Sequence, residues 1–172
     1  MTTGIANESV KATARSCGNV DSSVGVDEII QFETTSFSVA KTGLHHLKAI
    51  WVLNFSVSLR ATSGAAPQSA GAAFAVLSEI ELENETTGVY VNVVSSGLSY
   101  GISSGTYAHS YPHLHEPVDL NLTLVAGDQY AVFVYVTAGV SATVTPGTCN
   151  ASASLNMGSG GRDAVLSSIE GI

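Results

Sequence analysis

The stretch Leu53-Asn54-Phe55-Ser56-Val57-Ser58-Leu59-Arg60 alternates apolar and polar residues without exception. A period of two belongs to a β-strand, whose successive side chains point to opposite faces. Upstream, Leu47, Ala49 and Trp51 keep the same phase, so Leu44 to Ala61 reads as one long strand. Val118-Asp119-Leu120-Asn121-Leu122-Thr123-Leu124 alternates as cleanly, and Ala151-Ser152-Ala153-Ser154-Leu155-Asn156-Met157 does so with smaller residues. Each pattern sets one face on a core and the other in water, as antiparallel sheets do.

Working outward, Gln31 to Ala40 reads as a strand ending at a Lys41-Thr42-Gly43 turn. Ala72 to Glu83 runs into the turn-rich Asn84-Glu85-Thr86-Thr87-Gly88, and Val89 to Val94 follows. Tyr130 to Val136 is apolar on both phases, which predicts a place between layers or under a loop. Val140 to Val144 and Ala164 to Ile169 complete the set, while Thr62 to Gly71 and Ser95 to Tyr111 read as loops. No helical period extends beyond one turn. The pattern predicts an all-β, antiparallel β-sandwich or jelly roll of eight or nine strands. Residues 31–172 form the sandwich domain in this reading, and residues 1–30 an N-terminal arm, an edge strand or a strand donated to a neighbour.

Composition limits the function classes. Of the 172 residues only 12% are charged, about half of the roughly 25% usual in soluble domains. Ser, Thr, Asn and Gly take the polar positions, which points to an extracellular or cell-surface setting, with a virion surface as the alternative. Net charge is −8 with no basic cluster, which argues against nucleic acid, whose affinity comes mainly from Lys and Arg. No apolar run reaches the ~20 residues of a spanning helix. Met1 to Gly18 has neither the basic start nor the apolar stretch of a signal peptide.

Four groups of residues could carry a site. Cys17 and Cys149 make an even pair in a low-charge chain, which predicts a disulfide; two buried free thiols are the alternative. In the chain-entropy picture closing so long a loop contributes on the order of 4–5 kcal/mol. The Asn-X-Ser/Thr acceptor pattern occurs at Asn7, Asn54, Asn84, Asn121 and Asn150. Asn54 and Asn121 fall on the polar phase of their strands and Asn84 in a turn, so these three are expected to point to solvent. His109, His113, His115 and Glu116 lie within eight residues. In an extended segment His113 and His115 share a face and could reach one Zn²⁺ or Cu²⁺; histidines on a polar loop are the plainer reading, with no cofactor. The remaining group is Tyr100, Tyr107 and Tyr111, a candidate stacking platform for glycans.

Catalytic patterns do not emerge. There is no Gly-x-Ser-x-Gly elbow, no His-Glu-x-x-His and no glycine-rich phosphate loop. Glu79 and Glu81 share one strand face, but Ile80 and Leu82 carry the apolar phase, so the pair reads as a solvated face rather than an acid/base pair. The protein is therefore expected not to be an enzyme.

Phe37-Ser-Val39-Ala-Lys-Thr-Gly43-Leu44 resembles the early strand pair of C1q/TNF-like jelly rolls, and Leu124-Val-Ala-Gly127-Asp128-Gln-Tyr-Ala-Val132 resembles their late turn and strand. The general texture is similar to that of secreted archaeal and bacterial surface proteins, including extracellular filament subunits. These resemblances imply a jelly-roll module and self-assembly. The expected function is thus a non-catalytic structural or adhesive subunit that binds copies of itself, pilus-like, with N-terminal strand exchange as one route. A virion capsid or decoration protein and a carbohydrate-binding module are the alternatives. One expectation is directly checkable: the native protein should take up iodoacetamide at neither Cys17 nor Cys149 until reductant is added.

Overall fold

The computed structural model describes residues 5–6, 9–14, 22–33, 36–64, 69–145, 150–157 and 164–171. Two antiparallel sheets pack face to face. The long alternating strand is β5 (Gly43–Thr62), and it organises the six-stranded first sheet. Strand β8 (Gly105–Leu124) follows one side of β5 along its length. The other side is shared by β11 (Ala164–Gly171), beside Leu47–Leu53, and β10 (Asn150–Met157), beside Phe55–Thr62. Strands β1 (Ile5–Ala6) and β2 (Ser9–Ala14) extend the sheet beyond β11 and β10.

The five-stranded second sheet runs β7 (Val89–Ile102), β6 (Ala70–Asn84), β9 (Gln129–Val144), β3 (Ser22–Glu33), with β4 (Phe37–Ser38) also on β9. Nine of these strands have six residues or more, and the all-β sandwich read from the sequence is the fold observed. Within residues 1–30, β2 ends the first sheet and β3 lies at an end of the second.

One phase of each strand supplies the core. From β5 come Leu47, Ala49, Trp51, Leu53, Phe55, Val57, Leu59 and Ala61, all buried. Facing them are Phe74, Val76, Ile80 and Leu82 of β6, and Tyr130, Val132, Val134 and Val136 of β9. At one end the interior narrows to a cluster of Ala61, Ala70, Ala142, Val144 and Ala151. Ser78 interrupts the inward phase of β6, fully buried, and its hydroxyl has no hydrogen-bond partner among the described residues.

Ser95–Tyr111, expected as a loop, is strand on either side of Ser103-Ser104, and β8 changes phase just beyond it. On β8, Leu114 pairs with Leu53 but Tyr111 pairs with Phe55, so Pro112 and His113 together oppose Asn54. This β-bulge moves the inward phase from odd residues before it to even residues after it, which breaks the alternation. Proline has no N–H for a ladder, and a bulge on an end strand is where a sheet admits it. Strands β7 and β8 are joined through Ser103-Ser104, with Gly105 at φ 83°, a conformation that favours glycine. Two other boundaries differ from expectation. Tyr130–Val136 and Val140–Val144 are one strand, β9, running through Thr137-Ala138-Gly139, and Gln31–Ala40 is divided between β3 and β4.

The stretches that resembled C1q/TNF-like modules meet in space. Phe37 pairs with Tyr130 and Gly43 with Leu124, and the Ala126 N–H donates to Thr42 Oγ1 at 2.9 Å. The Tyr130 hydroxyl accepts from the Val125 N–H at 2.8 Å. At this end of the sandwich Gln129 also bonds the β6–β7 turn, its N–H donating to Thr86 Oγ1 and its carbonyl accepting from Glu85.

Urea unfolding tests the phase assignment. Leu53→Ala should cost about 2–5 kcal/mol by leaving a cavity, whereas exposed Asn121→Ala should stay within about 0.5 kcal/mol. Ser78→Ala, which removes an unsatisfied buried hydroxyl, should be neutral or stabilising by up to about 1 kcal/mol.

Candidate functional site

The outer faces of the two sheets differ, and the difference begins with residue size. On β6 the outward phase reads Gly71, Ala73, Ala75, Leu77, Glu79, Glu81, Glu83, and on β9 it reads Phe133, Tyr135, Thr137, Gly139, Ser141, Thr143. Register aligns these with β3 and β7 into rows across the second sheet. One row is Asp27, Gly139, Ala75, Ser99, and its neighbour is Gly25, Ser141, Ala73, Gly101. With so little side-chain volume the rows form a shallow trough of about 360 Å³. The Asp27 carboxylate lies across Gly139, and a Cβ there would push it aside. Gly97 is likewise covered by Leu77, and a Cβ would strike that side chain and the Val76 carbonyl.

Beside the trough the face turns apolar and exposed. Ile29, Thr137, Leu77 and Gly97 share a row, with Ile29 63% and Leu77 39% exposed. The next rows bring Tyr135 beside Glu79 and Phe133 beside Glu81 and then Val93, itself 53% exposed. Phe133 and Tyr135 stack at 6.4 Å, and the Tyr135 hydroxyl donates to Glu81 Oε2 at 3.1 Å. Glu79 and Glu81 are half-buried among these rings rather than freely solvated. The two-faced apolar character of Tyr130–Val136 was the sequence signal for this surface; its cover, a second layer or a loop, is not supplied by the described residues.

The first sheet presents Lys48, Asn54, Ser56, Ser58, Arg60, Asn121 and Thr123 outward, an ordinary polar face. Asp119 lies on it and pairs diagonally with His46, Nε2 to Oδ1 3.0 Å.

The residues singled out in the sequence are dispersed. His109 is exposed, its ring edge-on to Tyr111 at 4.5 Å. Glu116 accepts a hydrogen bond from Ser96 Oγ at 3.2 Å, linking β8 to β7. The backbone of His113 sits in the bulge and that of His115 opposite Val52; their side chains lie outside what is described. Among the described residues no three His, Cys, Asp or Glu side chains gather as a metal site requires. Cys17, Cys149 and Asn7 also lie outside the described residues. Asn121 is exposed, and Asn54 and Asn150 are half-buried.

Asn84 corrects the expectation of a solvent-facing acceptor. It is only 8% exposed, its Nδ2 donates to Asp128 Oδ2 at 2.8 Å, and its Oδ1 accepts from the N–H groups of Thr86 and Thr87. A turn-forming asparagine satisfies its own turn, so sequence position in a loop did not mean exposure. The tyrosines form a seam between the end strands of the two sheets. Tyr100 of β7 meets Tyr107 of β8 at 4.5 Å, the Tyr107 and Tyr111 hydroxyls are 2.9 Å apart, and Tyr111 stacks on Phe55 at 4.7 Å.

Burial and the hydrogen bond to Tyr107 push Tyr111 up to about 12, and burial and the bond to Glu81 push Tyr135 up to about 12. Because the unfolded chain ionises first, near 10, these groups hold their full contribution below pH 10 and lose it as pH rises towards 12. Spectrophotometric titration should show tyrosine ionisation extending to about pH 12, and Tyr135→Phe should remove one of these late steps.

No protein-family model matches the chain, and no curated protein matches it. Similar solved structures include that of infectious bursal disease virus, Gx strain, at 10% identity over 95% of this chain and 40% of that one, with a TM-score of 0.23. A VP2 subviral particle of the same virus matches at 10% identity, over 99% and 39% of the two chains, with a TM-score of 0.21. The chain thus spans about two-fifths of the solved chains it is similar to, and TM-scores this low do not by themselves establish a shared fold.

Proposed function

We propose that this chain is a non-catalytic structural subunit that assembles with copies of itself into a protein shell, as a virion capsid or decoration protein. The observation that carries self-assembly is the uncovered outer face of the second sheet. Exposed Ile29 and Leu77 stand beside a floor of glycine and alanine that a neighbouring backbone can approach closely, and exposed Val93 and Tyr90 lie farther along the same face. Exposed apolar residues gathered on one sheet face mark interaction sites.

A shell is favoured over a filament built by strand exchange because the arm is already engaged. Ser9–Ala14 pairs with β10 of its own chain over six residues, so donating it would first break that ladder. The similar solved structures are those of a virus and of its subviral particle, and the virion is the setting to test.

The test is the assembly state of the purified chain by light scattering and negative-stain microscopy. Closed particles or discrete oligomers are expected, and Leu77→Glu with Val93→Glu should leave a folded monomer. Filaments would replace the shell by the surface-filament reading. A wild-type chain that stays monomeric at high concentration would sink self-assembly altogether.

A further inference from the structure

Four of the five Asn-X-Ser/Thr acceptor patterns lie within the described residues, and the fold treats them differently. Asn84 has no room for a substituent: its Nδ2 donates to Asp128 Oδ2 at 2.8 Å, and the side chain is buried in its own turn. Asn54 lies opposite the bulge of β8, and Asn150 opens β10 beside Thr62; both are half-buried. Of these four, Asn121 alone is exposed, and so is Thr123, which supplies the hydroxyl of its acceptor pattern.

Register explains that exposure. Strand β8 ends the first sheet, so Asn121 has a paired strand on one side only, where it faces His46. The His46 ring turns along the strand to Asp119, Nε2 to Oδ1 3.0 Å. Strand β11 pairs with β5 no farther than Leu47, so among the described residues the row ends at His46. Leu122 is buried between the two outward residues, which holds Asn121 and Thr123 on one phase.

We propose that Asn121 is a site of N-glycosylation, and that the folded protein carries a glycan there and none at Asn84. The transfer joins Asn121 Nδ2 to the anomeric carbon of a sugar carried on a polyprenyl diphosphate. The bond from that carbon to the diphosphate oxygen breaks, the diphosphate leaves with the electron pair, and the amide gives up one proton. The hydroxyl residue two places on, here Thr123, marks the asparagine as an acceptor. The product keeps one amide N–H and sets a bulky, solubilising group in water. It stands on the polar face of the first sheet, away from the apolar outer face of the second.

Chymotryptic peptide mapping by mass spectrometry, on the full chain from its native source, tests this. The Asn121 peptide should exceed its sequence mass by a glycan, and peptide-N-glycosidase should leave aspartate at that position. The Asn84 peptide should have its sequence mass before and after the enzyme. In the same host Asn121→Gln should lose this glycan while circular dichroism stays unchanged, because the amide is exposed. An Asn121 peptide at sequence mass throughout would overturn the proposal. A glycan on Asn84 of the folded protein would overturn the selection of sites by burial.

Discussion

The inward row of β5, from Leu47 to Ala61, has to be covered along its whole length, and the rest of the structure follows from that. That row spans 15 residues of the strand, so it runs on the order of 50 Å at about 3.3 Å per residue. No single neighbour on the β11/β10 side is that long, and two successive strands share it. Coverage from above comes from the even phases of β6 and β9, whose side chains shrink from Phe74 and Tyr130 to Ala70, Ala142 and Val144 where β5 ends in Ala61. Where β8 must also cover β5, its two halves have opposite inward phases, and the bulge at Pro112–His113 reconciles them. A strand whose apolar phase changes midway has to carry such an irregularity, because a slip of one residue exchanges its two faces.

That constraint explains what could be read from the residues. Where one face is buried and the other wet, as in β5, the second half of β8, and β10, alternation gave strand, phase and outward asparagines at Asn54 and Asn121. It failed where a strand is not divided in that way. Strand β7 and the first half of β8 lie at the end of their sheets, and their aromatic residues close the seam through Tyr100, Tyr107 and Tyr111 rather than a buried face. The Ser, Gly and Tyr content of that stretch therefore imitated a loop. Asn84 failed for a different reason: its amide completes the β6–β7 turn internally, and its burial depends on Asp128, 44 positions away. Pairing at that separation leaves no local trace.

The outer face of the second sheet was legible only as an anomaly. Tyr130 to Val136 showed no polar phase, which predicts cover on both sides, and the fold supplies cover on one. The residues that complete the face, Gly25, Ala73, Ala75 and Gly139, lie on three strands and gather only through register. Small residues carry little hydrophobic signal in a sequence, yet in a sheet they lower the surface and leave Ile29, Leu77 and Val93 standing proud. An interface can be built from this pattern because close backbone approach and a few protruding anchors both favour packing at interior density.

Charge sets a second condition on that surface. A net charge of −8 opposes association of identical molecules at long range, so contact requires that the short-range field be attractive. Geometry then decides the product. Sheets packed face to face are set about 30° apart by their own twist, so a stack of such sandwiches turns as it grows. Whether that turn closes on itself or continues is what separates a shell from a fibre.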